Sequence, residues 1–494
     1  MTLPISMRGN PPTTGAFVLL TFCFCIGLLC LGRISGASGM SDSWPMAVML
    51  ASLSWIVVYM AASYSYYRTF YLLGNTYLIA IFMFHLGLIY QLATGAVVAT
   101  SWTTGSMAQW MESAGWYVVL ALCSFGFGNA ISMLIKKPKR VTPQAVAVQR
   151  NRTMAFLRSQ SMGLGIACFC FLFMTIISYG NIFAYSRAEL FNLQTDTRGF
   201  GVLMMVLPST VILFVVSAQT KTQKLMAYSL GVFVFLMIML SGYRSAALFP
   251  ALVGVILWVK SGKRIPTLVA VGAIFFVLIA ISTVGVFRQM GSYDSLNSEK
   301  LQSSFEDASL DASITEMGQT VAILANVIKL VPAKDNHTYG NSYWLAFKEM
   351  FPNIGSNINS DKSRSARKDR AAFDQDELVK MKPADWITYR LNRWKFDNGQ
   401  GVGFSAIAEP YLNFGTFGVV SFFILLGFLF GRLDMMDLIT HPYLFLLMAT
   451  IFWPFIRTVR NDFSNFTKPA GFILIIVLIW NISLKIIGRY KKVI

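Results

Sequence analysis

The sequence predicts an all-α polytopic membrane protein of about twelve transmembrane helices. Three observations carry that prediction. Of the 494 residues, 55% are hydrophobic and mean hydropathy is +0.57, which is membrane rather than soluble composition. The apolar residues gather in runs of about 15 to 22, the length at which a helix crosses a bilayer. Lys and Arg crowd into alternate short connections, as cytoplasmic loops do.

The first run, 15–32, lacks a small-residue cleavage site and reads as a span rather than a cleavable leader. Further runs follow at 45–63, 71–93, 115–135, 161–180, 200–218, 225–241, 245–259 and 266–287. The last three, 415–431, 443–456 and 469–485, come after a long hydrophilic interval. The connection 136–158 carries Lys136, Lys137, Lys139, Arg140, Arg150, Arg152 and Arg158, whereas 94–114 has no Lys or Arg. Lys221 and Lys224, Lys260 to Arg264, and Lys485 to Lys492 fall on the same side as 136–158 if both termini are cytoplasmic.

Residues 288–402 form a hydrophilic insert on the outer side. Beyond Arg288 it holds 14 Lys/Arg against 15 Asp/Glu, so it is nearly neutral. A structureless loop of that length is uncommon, and apolar periodicity at 313–331 and 341–350 predicts amphipathic helices lying on the membrane surface. The chain thus divides into a helical block 1–287, the insert 288–402, and a last block 403–494.

The net charge of +18 is spread over loops and span ends. Anionic membrane lipid and the positive-inside bias account for it without nucleic acid. The six cysteines all lie in apolar runs, where they read as packing residues, and none has zinc spacing with histidine partners. Asp374-Gln375-Asp376 is a lone D-x-D, weak grounds for a metal site. His85 reads as a hydrogen-bonded core histidine, His441 as structural, and His337 as a remote candidate base. No P-loop, zinc-protease, nucleophile-elbow or dinucleotide motif is present, and no metal or cofactor is expected.

The most informative stretch is Gly403 to Gly415, which leads into the 415–431 span and contains one carboxylate, Glu409. Ionisable groups at a membrane edge are costly and mark functional sites by default. Glu409 is the candidate general base toward a sugar hydroxyl; such a base needs partial burial and reach to the proton it removes. The alternative is a helix cap or a structural partner for arginine. Ser405, Tyr411 and Asn413 are candidates for positioning sugar hydroxyls.

Arginines at outer span ends form the second constellation: Arg244 at the turn between two spans, Arg288 at the head of the insert, and Arg457 and Arg460 beyond the 443–456 span. Guanidinium forks match phosphate oxygens and keep their charge. Headgroup contact, or pairing with Asp462 or insert acids, is the competing reading. Arg390 and Arg393 could add to the cationic site, while Arg187 and Arg198 read as headgroup contacts.

Together these residues resemble the O-antigen polysaccharide polymerase (Wzy) family. The resemblance rests on Ser241-Gly242-Tyr243-Arg244-Ser245, Arg288, Glu316-Met317-Gly318-Gln319-Thr320, Gly340-Asn341-Ser342-Tyr343 followed by Pro352, and Ala408-Glu409-Pro410-Tyr411-Leu412-Asn413-Phe414-Gly415. It covers roughly residues 180 to 465. It implies a GT-C-like fold in the bacterial inner membrane and a periplasmic reaction joining oligosaccharide repeat units carried on undecaprenyl diphosphate. It makes Glu316 a rival carboxylate and implies a chain-length regulator protein as partner. The related O-antigen ligases carry a loop histidine followed by Asn, Ser or Gln. Here Thr338 follows His337, which argues against ligase. A lipid-linked oligosaccharide flippase or other transporter is the second alternative. Transporters commonly show internal repeats and broken midplane helices; this chain shows no repeat, and its polar groups at one face and single large outer insert favour an enzyme.

Overall fold

The computed structural model describes residues 13–36, 43–95, 107–135, 143–179, 200–240, 244–263, 317–351, 375–397 and 401–490. Every regular element among them is helical. In chain order these are α1 (Thr13–Ser35), α2 (Trp44–Tyr67), α3 (Leu73–Ile81), a π turn (Phe82–Leu86), α4 (Gly87–Thr94), α5 (Ala108–Leu134), α6 (Pro143–Tyr179), α7 (Phe200–Ser217), α8 (Lys221–Leu240) and α9 (Arg244–Lys260). The insert contributes α10 (Thr320–Leu330), α11 (Asn341–Glu349), α12 (Gln375–Val379), α13 (Pro383–Leu391) and α14 (Arg393–Asp397). The chain closes with α15 (Ala408–Met435), α16 (Pro442–Arg457) and α17 (Ser464–Tyr490).

Eight helical stretches are long and apolar enough to cross a membrane, the α3–π–α4 unit counting as one; α7, α9 and α16 are shorter apolar helices. The chain is a multi-pass membrane protein. Each predicted span except 266–287 coincides with one of these helices; that span lies outside the described residues. Several boundaries differ from expectation by five residues or more, and two of them have a local reason. α6 starts at Pro143 and carries most of the 136–158 connection into the helix. Ala, Gln, Arg and Met there are good helix formers, and Pro143 fits a first helical position. α15 starts at Ala408, because the 408–413 turn is already helical before a break at Phe414–Gly415.

The packing centre is α5 against α15. A Cβ on Gly128 would come 2.0 Å from the Ile424 carbonyl oxygen, and one on Gly427 would come 1.9 Å from that of Phe125. The two glycines let the backbones touch, the close approach on which membrane helices rely. Tyr77, Phe125, Phe430 and Phe455 fill the space beside this seam.

The insert helices behave differently from each other. α10 does not lie on the membrane surface as expected from 313–331. Val321, Leu324, Ala325 and Val327 are fully buried, and Gly318 ahead of it presses on the backbone where the π turn passes into α4, a Cβ there falling 2.2 Å from the Leu88 nitrogen. The helix is apolar on nearly all sides, so it has no polar face to offer the headgroups and goes inside. α11 is two-faced: Ser342 and Ala346 are buried, while Trp344 and Phe347 are exposed. It lies against α17, where the Thr467 hydroxyl donates to the Ala346 carbonyl at 2.6 Å.

Candidate functional site

The chain enters the site as an extended segment, Gly403 to Ala406, laid along the turn after α16. The Phe404 N–H donates to the Arg460 carbonyl at 2.9 Å. Gly403 has φ +82°, and a Cβ there would meet that same carbonyl oxygen at 2.9 Å. Ser405 then caps α15: its Oγ accepts from the Ile407 and Ala408 N–H groups at 3.1 and 3.2 Å. Its remaining proton points to His85 Nε2 at 2.8 Å, and His85 Nδ1 faces the Ile81 carbonyl at 3.3 Å. A carbonyl only accepts, so His85 is the neutral Nδ1–H tautomer. The fully buried histidine thus ties the π turn to the start of α15.

Glu409 follows in the first turn and is 3% exposed. Its Oε1 accepts from Ser342 Oγ of α11 at 3.0 Å and its Oε2 from the Phe463 N–H at 2.8 Å. Among the described residues no cation is in ion-pair contact with it. Asn413 sits one turn on. Its Nδ2 donates to Ser342 Oγ and to the Glu409 carbonyl, and its Oδ1 accepts from Thr338 Oγ1 and the Gly340 N–H. Two residues on, Gly415 has φ 61° and ψ −146°, a conformation nearly confined to glycine. The break tips the 408–413 turn off the axis of the span and aims Glu409 at the insert.

Tyr343, beside Ser342, stacks near Phe422 and edges onto Phe463. Burial, and then the neighbouring Glu409 carboxylate, hold its phenol well above the ordinary tyrosine range. It stays a proton donor, and its buried hydroxyl makes no hydrogen bond among the described residues.

The arginines divide. Arg457 ends α16 with its guanidinium 5.9 Å from the Trp453 ring, and Arg460 lies 5.8 Å from the Phe84 ring. The turn that carries them is hydrogen-bonded to the Glu409 segment, so the structure brings these two elements together. Arg390 is ion-paired with buried Asp335, its Nε donating at 2.9 Å. Arg393 pairs with Asp397 at 2.9 Å and lies over the Tyr389 ring. Both therefore hold the insert together rather than stand open to an anion. Arg244 is the first residue of α9; Arg288 and Glu316 lie outside the described residues, as do Arg187, Arg198 and Asp374.

Ser405, Tyr411 and Asn413 have their polar atoms engaged inside the protein. The Tyr411 hydroxyl donates to the Val331 carbonyl at 3.2 Å. His337 donates from Nδ1 to the Leu412 carbonyl at 3.2 Å, beside Gly415. Asp462, the arginine partner in the competing reading, accepts from Ser464 Oγ, Asn465 Nδ2 and the Ala384 N–H, serving the starts of α17 and α13 together. Sequence reasoning missed Ser342 and Tyr343 as neighbours of Glu409. Both stand in the Gly340–Tyr343 motif, which was legible, but nothing in the spacing says that it folds back 67 residues onto the acid.

A family model for the O-antigen polysaccharide polymerase Wzy matches residues 16–489, nearly the whole chain. Neither a search of curated proteins nor one of solved structures gives a match.

Proposed function

We propose that this chain, which belongs to the O-antigen polysaccharide polymerase Wzy family, joins lipid-linked oligosaccharide repeat units with Glu409 as the base. The face that bears the 288–402 insert is then the periplasmic face of the inner membrane, with both termini cytoplasmic and a chain-length regulator as partner. The single supporting observation is the state of Glu409. It is a buried carboxylate held by two hydrogen-bond donors, without a counter-ion among the described residues, where the arginine turn meets the insert.

Ser342 lends this reading its geometry. Its hydroxyl sits 3.0 Å from Oε1, the reach a general base needs to the proton it takes. It is a stand-in for the acceptor sugar hydroxyl. A shift of α11 would withdraw it and open Oε1 to substrate. The acceptor oxygen then attacks the anomeric carbon of the donor glycan while its proton passes to Glu409. The carbon–oxygen bond to the lipid diphosphate breaks, and that group leaves with the electron pair. A diphosphate leaves as an anion, so no general acid and no metal is needed. Arg457 and Arg460, with Arg244 and Arg288, would stabilise the charge that builds on it. One displacement inverts the anomeric centre.

Purified protein reconstituted with lipid-linked repeat units tests the reaction class. A ladder of products is expected. A single transfer would mark a ligase, and movement of the units without new bonds would mark a transporter; either result overturns the proposal. Orientation is tested separately, in a background lacking the six native cysteines. Cysteine at Ser363 should react with an impermeant thiol reagent in intact spheroplasts, and cysteine at Gln144 should not.

A further inference from the structure

A cavity of about 240 Å³ opens beside α11, the helix whose Ser342 is bonded to Glu409. Lys348, Lys380 and Lys382 line it, together with Glu349, Asp385 and Phe396. Lys382 is bonded to Glu349 at 2.5 Å. Burial works against the Lys382 ammonium, but Glu349 outweighs it and raises its pKa, so the charge is held. Lys348 and Lys380 are exposed at the rim, Lys348 lying 5.2 Å from the Trp344 ring. Lys468, in the first turns of α17, is within electrostatic reach of Lys382 and Glu349.

The height of this cavity is fixed by α17. The Met350 carbonyl, next to Glu349, presses on Gly471, where a Cβ would come within 1.8 Å. Gly471 lies about 10 Å along the helix from Ser464, at ~1.5 Å per residue. The cavity floor is therefore level with the outer turns of a spanning helix. Trp344, Phe347 and Phe351 stand exposed next to it at one-face spacing, an arrangement suited to lipid at the interface. Cations at that depth meet phosphates.

Two cationic groups thus lie on elements that are bonded to Glu409. Through Oε2 the carboxylate is bonded to Phe463, three residues beyond Arg460. Through Oε1 it is bonded to Ser342, on the helix that leads to Lys348 and Glu349. Joining two lipid-linked units requires two lipid-borne diphosphates to be held at once, one leaving and one retained. Resting on the function proposed above, we infer that the Lys348–Lys380–Lys382 cavity holds the retained diphosphate, that of the acceptor. Three lysines around one opening suit a diphosphate better than an uncharged glycan. The distance along α11 from Ser342 to Lys348, about 9 Å at ~1.5 Å per residue, makes the bridging ligand an oligosaccharide rather than a single sugar. Lysines suit this role, since a retained phosphate needs charge but no bidentate fork tuned to a developing anion.

The test counts bound geranyl diphosphate on full-length protein in phosphatidylcholine nanodiscs. Wild type should bind two. Lys348→Gln with Lys380→Gln should weaken one site at least about tenfold, the loss of charge-assisted hydrogen bonds, and Lys348→Arg with Lys380→Arg should restore it. Lys382 is left in place because its pair with Glu349 joins α11 to the α13 region. Retention of both sites in the glutamine variant overturns the inference. So does loss of the lysine-dependent site in phosphatidylglycerol nanodiscs, which would make it a headgroup site. Glu409→Gln should keep both sites, so a failure of the base assignment reads out in turnover and not here. An Arg460→Gln variant that still binds two would count against the arginine assignment alone.

Discussion

α15 carries a buried acid near each end, and the two are held in opposite ways. Asp434, at the end away from the insert, accepts from the Leu73 and Gly74 N–H groups at 2.8 and 3.0 Å. Those groups open α3, the positive end of a helix dipole. Lys260 adds an ion pair at 3.0 Å. Its charge is thus met by a cation and a helix terminus. Glu409 has one hydroxyl and one backbone N–H, and among the described residues no cation in ion-pair contact. On the function proposed above, one helix holds both uses of a buried carboxylate. Where the counter-charge is supplied, the acid fastens helices together. Where none stands among the described residues, the acid is the candidate for the proposed chemistry.

The comparison is broken most visibly by paired amide variants. Glu409→Gln should lower the polymerisation rate about 10²- to 10⁴-fold, while Asp434→Asn keeps it within a few-fold. Equal losses in both would mean that the two acids do the same work. Stability should show the reverse ranking. Asp434→Ala removes one partner of a buried pair and should cost about 3 kcal/mol, the lower end for such pairs, since Lys260 is partly exposed. Glu409→Gln can still accept from Phe463, with the Ser342 hydroxyl turned to receive the new amide, so it should cost about 1 kcal/mol. Denaturation midpoints in detergent measure both.

Ser342→Ala sharpens the account of the site itself. If the hydroxyl only occupies the acceptor's place, KM should fall and kcat should stay within about threefold, because a ground-state interaction is lost. A loss of kcat as deep as that of Glu409→Gln would put Ser342 in the chemistry. The smallest effect concerns Lys382 and Glu349. The folded pKa of Lys382 is raised, so the pair's contribution is full at neutral pH. It fades as pH climbs through that raised value, above the ordinary lysine range. With side chains 40% and 29% exposed, the pair contributes under about 1 kcal/mol. Wild type should therefore lose slightly more thermal stability at alkaline pH than Lys382→Gln does; an identical pH dependence would remove the pair from the account.

The helices were legible because hydropathy sets span length, and each described span falls where an apolar run predicted it. The candidate site was legible one residue at a time. Glu409 stood out as a lone acid, and Arg457 and Arg460 as cations at a span end. How the arginine turn bonds to the Glu409 segment was not legible, since it depends on Gly415 breaking α15 and on Phe404 pairing with the turn after α16. Arg390 and Arg393 were the weaker members of the cationic set; the i,i+4 spacing of Arg393 and Asp397 was legible, but the sequence does not show that Asp335 lies against Arg390. α10 looked amphipathic because Asn326 and Lys329 interrupt its pattern; Asn326 instead bonds back to the Ala322 carbonyl at 2.8 Å and goes inside.

The central claim is that Glu409, and not Glu316, takes the acceptor proton. Single-turnover bond formation, measured side by side for Glu409→Gln and Glu316→Gln with saturating lipid-linked repeat units, tests it most directly. The account predicts a rate about 10²- to 10⁴-fold below wild type for Glu409→Gln and a rate near wild type for Glu316→Gln. A normal rate in Glu409→Gln together with a collapsed one in Glu316→Gln would contradict it and exchange the two roles.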